Sequence, residues 1–383
     1  MNAPLTWEQQ ARTLAAEFAS RATKHDAEGS FPFENFEALH QTGLLTLAAP
    51  QDLGGQGATL AHLGAVVGAI GYACPATALV LIMQYIQHRS MGRTSPVRSW
   101  PEPLARRLVA EAAAGVSLVN ALRVEPDLGS PARGGLPATV ARQTAEGWRI
   151  TGHKVYSTGA PILSWYSVWA RTDEAVPRVG HFLVQAGLPG IQIVETWDHL
   201  GLRASGSHDV VLKDVLIPLE HALDLRTPEN WAGGEPWLQA EMAVMLGALY
   251  TGVARAARDW LVLFLHERKP ASLGASLASL PRAQEALGGI EALLLTNQRL
   301  IEGLARDADE GVLRSAVESG LIKSVTTGNA VQAVEQALAL TSNHGLARKN
   351  PLERHLRDVL CGRIHTPQDD SARLAAGRKA LGL

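Results

Sequence analysis

The residues best suited to chemistry lie near the C-terminus, in the stretch RDVLCGRIHTPQDD at positions 357–370. His365 carries an imidazole whose usual pKa, about 6.5, lets it exchange a proton near neutral pH. The neighbouring Thr366 hydroxyl is far too weak a base for that role. Two carboxylates, Asp369 and Asp370, follow. The stretch therefore predicts an acid–base site, unless His365 only contacts the last carbonyls of a helix.

This stretch separates two helical patterns. Pro367 lacks an N–H and disfavours helix at the preceding residue, so the helix predicted over residues 351–364 should end just before the proline. A second helix should begin near Ser371. Asp369 and Asp370 are expected to cap it, because aspartate is a favoured residue at helix N-termini.

Two further charged residues stand alone in helical patterns. Glu241 is either a general base or a surface carboxylate, since a lone acid on an amphipathic helix usually faces solvent. Arg268, in the sequence HERK, is either a phosphate ligand or a solvated helix end. A guanidinium suits phosphate because it offers two parallel donors.

Periodicity divides the chain into three parts that must position these residues. Residues 1–115 are helical, with two buried helices that separate near Pro75. Residues 116–222 form short segments rich in Val, Ile, Thr, Trp and Tyr, which predict a β-barrel or sandwich. Residues 223–383 return to helical spacing and predict a bundle. The expected fold is α+β: an N-terminal helical domain, a middle β-barrel domain and a C-terminal four-helix bundle.

Composition narrows the class of protein. The 383 residues include 46% hydrophobic and 19% charged residues, with a formal charge of −2, so nucleic acid is not an expected partner. The cysteines, Cys74 and Cys361, form no disulfide framework, which favours the cytoplasm. The N-terminus does not resemble a signal peptide, and the apolar run ATALVLIM is too short to span a membrane.

Several motifs, in order along the chain, carry a family resemblance. They are GLLTLAAPQDLGGQG, GWRITGHKVYSTGAP, WDHLGLRASGSHDVVLKDVLIP and NHGLARKNPLERHLRDV. Each is weak alone, but their order and spacing resemble the acyl-CoA dehydrogenase superfamily from about residue 5 to the C-terminus. The chain is therefore identified as a member of that superfamily, and the resemblance implies its three-domain fold.

The resemblance also implies FAD bound between the middle domain and the C-terminal bundle of a homotetramer or homodimer. Thr158 matches a hydroxyl near flavin N5, and Tyr156 replaces a tryptophan that packs on the flavin. Gly129 and Ser130 match a loop that approaches cofactor phosphate or substrate. Arg268 matches an arginine that reaches the pyrophosphate from the neighbouring subunit.

The chain departs from the family at the catalytic base. Family dehydrogenases remove the α-proton of an acyl-CoA with a glutamate while a hydride moves to flavin N5. Counting from Arg357, that glutamate position holds Thr366, and Gln368 lies in the same loop, where it is expected to contact the cofactor. Some members supply the glutamate from an earlier helix, but Glu241 is one residue from that position, with Met242 in the matching place.

A second branch of the superfamily offers another reading. Its flavin monooxygenases use a C4a-(hydro)peroxyflavin, and a histidine can stand where His365 falls. Their second histidine lies on the first long helices, where this chain has Gln84, or Gln87 and His88 one turn on. Three functions stay open: an acyl-CoA-like dehydrogenase served by an electron-transfer flavoprotein, a monooxygenase served by a flavin reductase and able to use FMN, and an inactive flavoprotein.

Overall fold

The computed structural model describes residues 5–93, 100–128, 136–231, 236–312 and 315–383. The first part is helical, as the apolar spacing predicts. Its helices are α1 (Trp7–Glu28), α2 (Phe33–Gln41), α3 (Leu60–Ala73), α4 (Pro75–Met91) and α5 (Glu102–Ala114). Pro75 occupies the first position of α4, where its missing N–H costs nothing, so the predicted division of the two buried helices is confirmed.

One eight-stranded sheet forms the middle part, with strands in the order β6-β7-β3-β2-β4-β5-β8 and β1 beside β4. The strands are β1 (Leu118–Leu122), β2 (Val140–Thr144), β3 (Gly147–Ser157), β4 (Leu163–Thr172), β5 (Val179–Gln185), β6 (Ile191–Val194), β7 (His208–Ile217) and β8 (Ala222–Arg226). A buried ion pair anchors the segment after β1: Lys154 Nζ lies 2.6 Å from Glu125 Oε1. The Glu125 carboxylate also accepts two backbone N–H bonds, so its charge is well compensated.

The last part is helical again. Its helices are α6 (Pro236–Glu267), α7 (Pro281–Asp309), α8 (Ala316–Thr341), α9 (Asn343–Leu346), α10 (Leu352–Leu360) and α11 (Asp369–Leu381). Helices α6, α7 and α8 pack on one another, and α10 and α11 pack on α8. The predicted three-part fold is confirmed, while its divisions at residues 115 and 222 stay predictions.

Glycines bring the first and last parts into close backbone contact. A Cβ on Gly252 of α6 would lie 2.5 Å from the Gly68 carbonyl oxygen, and one on Gly71 would lie 2.9 Å from the Leu249 carbonyl oxygen. Both approaches are too short for any side chain. The contact fixes α6 against α3 and thereby sets the position of the residues between Leu249 and Gly252.

The predicted break near the C-terminus is present, with two differences. Helix α10 ends at Leu360, earlier than predicted, because the short 3₁₀ turn Cys361–Arg363 replaces its last turn. The N-cap of α11 is Gln368 and makes no side-chain capping bond, so neither aspartate is the N-cap residue. Asp370 Oδ1 nevertheless accepts the Ser371 N–H at 2.7 Å. Both aspartates lie in the first helical turn instead, where the helix dipole favours negative charge.

Among the described residues, no helix is long and apolar enough to cross a membrane.

Candidate functional site

The end of strand β3 holds a backbone conformation that a bulky residue rarely adopts. Tyr156 has φ 56°, in the left-handed region, beside an irregularity in the pairing of β3 with β7. Its ring is 57% exposed. A non-glycine residue in this region costs free energy and is typical of functional positions. Leu202, with φ 52°, is a second such residue on the loop before β7.

Tyr156 stands at an aromatic surface that sequence reasoning missed. The rings of Trp197 and His199 stack, with centroids 3.7 Å apart and an interplanar angle of 13°. The Tyr156 ring meets both edge-on, at 6.4 Å and 5.9 Å between centroids. We call Tyr156, Trp197 and His199 the aromatic ledge. The alternation in WDH, which puts two rings on one side of an extended chain, is the signal that could have found it.

Separate hydrogen bonds of the loop between β6 and β7 involve Thr158, the ledge and the C-terminal helices. Its Oγ1 accepts a hydrogen bond from the Ser207 hydroxyl at 3.1 Å. Earlier in the loop that carries Ser207, the Trp197 indole N–H donates to the Leu202 carbonyl at 3.0 Å. The Leu202 N–H donates to Asp358 Oδ1 at 2.7 Å, and Asp358 lies in α10. The loop between β6 and β7 therefore links the end of β3 to the helix that precedes His365.

His365 pairs with a tyrosine buried in the bundle. Its Nε2 lies 2.7 Å from the Tyr250 hydroxyl. Burial, followed by the charge of Lys323, lowers the pKa of His365 to about 4, and burial raises the pKa of Tyr250 well above its usual value. Both groups are therefore neutral at pH 7, and one hydrogen bond joins them. His365 contacts a side chain of α6, which favours the acid–base interpretation over a helix-end contact.

Glu241 is not a surface residue, so that interpretation was wrong. Its side chain is 1% exposed and is held by two arginines of the first part. Arg89 Nε lies 2.5 Å from Glu241 Oε1, and Arg93 also donates to that oxygen. The carboxylate is therefore engaged in ion pairs with the first part of the chain through Oε1.

The residues considered as a second histidine site are buried in α4. The Gln84 side chain accepts the Val119 N–H at 2.7 Å, and its amide nitrogen lies 3.0 Å from His88 Nε2. Burial lowers the pKa of His88 to about 4. Gln87 is buried as well. Gln84 thus connects α4 to β1. Burial keeps His88 neutral near pH 7.

The remaining predicted residues fall in different places. Thr366 is exposed beside His365, and Gln368 is the N-cap of α11, so the His365 loop contains three of them. Arg268 is exposed just after the end of α6. Eighteen residues of helix, about 27 Å, separate it from Tyr250. Gly129 and Ser130 lie outside the described residues.

A flavin fits these groups. The ledge offers flat aromatic faces at a strained, exposed turn, and Thr158 places a hydroxyl two residues from Tyr156. The arrangement would hold a planar ring system by packing and orient it by a hydrogen bond.

Family models match most of the chain. Residues 6–92 match the acyl-CoA dehydrogenase N-terminal domain, residues 123–215 the middle domain, and residues 244–369 the C-terminal domain.

The proteins similar to this chain include both dehydrogenase-type and nitrososynthase-type members of the superfamily. YdbM of Bacillus subtilis (strain 168), provisionally named as an acyl-CoA dehydrogenase, is 31% identical over 95% of this chain and 94% of its own. L-evernosamine nitrososynthase of Micromonospora sp. is 29% identical over 95% of this chain and 87% of its own. A solved structure of KijD3 with FMN and a dTDP-amino sugar has a TM-score of 0.77 at 27% identity, covering 99% of this chain and 95% of that one.

Butyryl-CoA dehydrogenase of Megasphaera elsdenii shares the fold, with a TM-score of 0.85 at 20% identity over the whole of both chains. The family models and the full-length relatives agree with the order of the three parts. The chain is a flavin-dependent oxidoreductase of the acyl-CoA dehydrogenase superfamily.

Proposed function

We propose that this enzyme is a flavin-dependent monooxygenase that receives reduced flavin from a separate reductase. The observation that carries the proposal is the state of the two candidate bases. Glu241 is held by Arg89 and Arg93, whereas His365 is neutral and hydrogen-bonded to Tyr250. The usual glutamate position holds Thr366, whose hydroxyl cannot remove an α-proton near neutral pH. The similarity to L-evernosamine nitrososynthase and to KijD3 supports the same choice.

In this proposal each residue has one task. Reduced flavin, when bound, activates dioxygen for transfer of one oxygen atom. The aromatic ledge packs against the flavin ring, and the Thr158 hydroxyl orients it. His365 accepts a proton at Nε2 or Nδ1 from the substrate heteroatom, and the Tyr250 hydroxyl holds the imidazole in place.

The test combines a substrate and two variants. Under anaerobic conditions, a panel of acyl-CoAs should leave the oxidised flavin unbleached. After chemical reduction and exposure to oxygen, His365→Ala should oxygenate an amine or sulfide probe about 10²–10⁴-fold more slowly than the wild type, because general acid–base groups contribute that much. Glu241→Gln should keep its rate per folded, flavin-loaded molecule. His266→Ala, at an exposed histidine in the last turn of α6, is the matched control.

The reverse pattern would reject the proposal in favour of the second candidate, acyl-CoA dehydrogenation. That candidate is favoured by the full-length similarity to YdbM. It predicts flavin bleaching by an acyl-CoA, loss of bleaching in Glu241→Gln, and an electron-transfer flavoprotein as the partner. In that case the proton would go to Glu241 Oε2, because Arg89 and Arg93 both bind Oε1 and Oε2 has no hydrogen-bond partner among the described residues.

The cofactor proposal is FAD, shared across a homodimer or homotetramer, with FMN as the alternative supported by KijD3. Arg268→Ala should weaken FAD binding by about 1.5–3 kcal/mol, the usual contribution of a charge-assisted contact. FMN affinity should not change, because FMN lacks the second phosphate and the adenosine. Equal FAD affinity in wild type and variant, or a monomer with full flavin occupancy in light scattering, would contradict this assignment.

A further inference from the structure

We infer that Lys323 of α8 is a positioning residue for His365: it holds the His365 loop through Asp369 and places a positive charge beside the imidazole. The inference rests on the proposed function of His365 as an acid–base group. Neither the motifs nor the similarity to known proteins assigns a role to Lys323.

One face of α8 forms the floor of the loop that carries His365. A Cβ on Gly320 would lie 3.4 Å from Pro367 Cγ, so the loop passes directly over that glycine. Seven residues farther along α8, Thr327 Cβ lies 3.2 Å from a Cβ built on Gly362. Lys323 stands between these two contacts, at helical spacings of three and four residues, and therefore on the same face.

The Lys323 side chain is fully buried, with 0% exposure. Its Nζ lies 3.8 Å from Asp369 Oδ1, and neither atom has a hydrogen-bond partner within the described part of the chain. A buried ammonium without a direct partner is costly, so its attraction to the single nearby carboxylate should be strong. Because Asp369 begins α11, this attraction fastens the far end of the His365 loop to α8.

Charged and titratable groups face His365 from each helix packed against it. Tyr250 of α6 contacts His365 directly, and Lys323 of α8 is the charge that acts on it. Asp369 of α11 pairs with Lys323, and Arg363 of the same loop lies 4.0 Å from Glu335 of α8. Of these, Lys323 is the charge that lowers the pKa of His365, after burial. The ammonium repels a proton on the imidazole, and Asp369 partly offsets that repulsion. Lys323 thus helps to keep His365 in its neutral form near pH 7.

Two charge-neutralising variants test this in the flavin-free protein. Lys323→Met keeps the length of the side chain and removes its charge, so the NMR titration midpoint of His365 should rise by about one pH unit. Asp369→Asn removes the offsetting charge, so the midpoint should fall. Opposite shifts are the signature of a charge acting on His365, because a loop that merely loosened would shift the midpoint upward in both variants. The His365 signal is identified by its loss in His365→Gln.

Matched controls are Lys349→Met and Asp370→Asn, which change exposed charges and should leave the midpoint in place. Shifts in the same direction, or no shift in either variant, would overturn the inference. If Lys323→Met does not fold, Asp369→Asn decides alone, since its side chain is a quarter exposed. A wild type that fails to oxygenate any probe would reject the proposed function but leave this titration result standing.

Discussion

At the scale of single residues, the hydrogen bond from Tyr250 to His365 is the contact closest to the proposed chemistry. Tyr250→Phe removes the hydroxyl and keeps the ring, so the imidazole loses its fixed orientation. A hydrogen bond of this kind contributes about 0.5–1.5 kcal/mol, so oxygenation should slow by up to about tenfold. Flavin affinity should not change. Tyr166→Phe, at another buried tyrosine, in strand β4, is the control, and equal slowing in both variants would contradict a role for Tyr250.

The strained backbone of Tyr156 gives a second prediction at this scale. Tyr156→Gly and Tyr156→Ala both remove the ring, and both should weaken flavin binding. Only glycine adopts φ 56° without strain. The free energy of unfolding of Tyr156→Gly should therefore exceed that of Tyr156→Ala by about 1–2 kcal/mol. Chemical denaturation of the flavin-free variants measures the difference. Equal stability would mean that the left-handed conformation is not retained without the ring.

The sequence could indicate only part of the proposed site, for a physical reason. His365 stands out in the sequence because an imidazole next to a proline-induced helix break is visible locally. Its partner, Tyr250, is 115 residues away on a helix where a tyrosine resembles any core residue. The surface alternative for Glu241 stayed open because its partners, Arg89 and Arg93, are about 150 residues earlier. Pairs of this kind exist only after the helices pack.

At the scale of elements, α3 begins with a cap supplied by another helix. The Asp309 carboxylate, at the end of α7, accepts the N–H groups of Leu60 at 2.7 Å and Ala61 at 3.0 Å. These are donors that no residue within α3 can satisfy. Asp309→Ala should therefore lower the free energy of unfolding by about 0.5–2 kcal/mol.

Equilibrium unfolding in guanidinium chloride measures this cost. Glu310→Ala, which removes the neighbouring exposed acid, should leave the midpoint unchanged. An unchanged midpoint in Asp309→Ala would show that the cap contributes nothing. The cap could not be predicted from the sequence, because α7 and α3 are about 250 residues apart, whereas the local cap of α1 at Thr6 uses Gln9 only three residues on.

At the scale of the whole molecule, the sheet and the C-terminal helices together supply the residues of the proposed site. The sheet supplies the aromatic ledge and Thr158, the last helices supply His365, and the loop between β6 and β7 joins them through Leu202 and Asp358. The order of the three parts was predictable, because each has its own hydrophobic period. The joining contacts were not, since they depend on side chains that local patterns leave undetermined.

Acid sensitivity is a property of the whole molecule, because it arises from buried histidines in separate elements. Burial lowers the pKa of His88 to about 4, that of His355 to about 3 and that of His365 to about 4. The unfolded chain binds protons at each near pH 6.5, so stability falls as the pH drops from about 6.5 toward 4. Each histidine should cost about 2 kcal/mol at pH 5. Burial raises the pKa of Asp358 to about 6, which offsets part of this loss.

The free energy of unfolding should therefore fall by about 4 kcal/mol between pH 7 and pH 5. Denaturant unfolding at each pH measures this loss. His355→Met should reduce the loss by about 2 kcal/mol, because it removes a buried proton acceptor whose Nδ1 has no partner among the described residues. His266→Gln, at an exposed histidine, should reproduce the wild-type dependence. If the His355→Met curve ran parallel to the wild type, burial of that imidazole would not be a source of the acid sensitivity. The loss would then come from other groups, such as His88, His365, His208 and His221, whose pKa values burial also lowers.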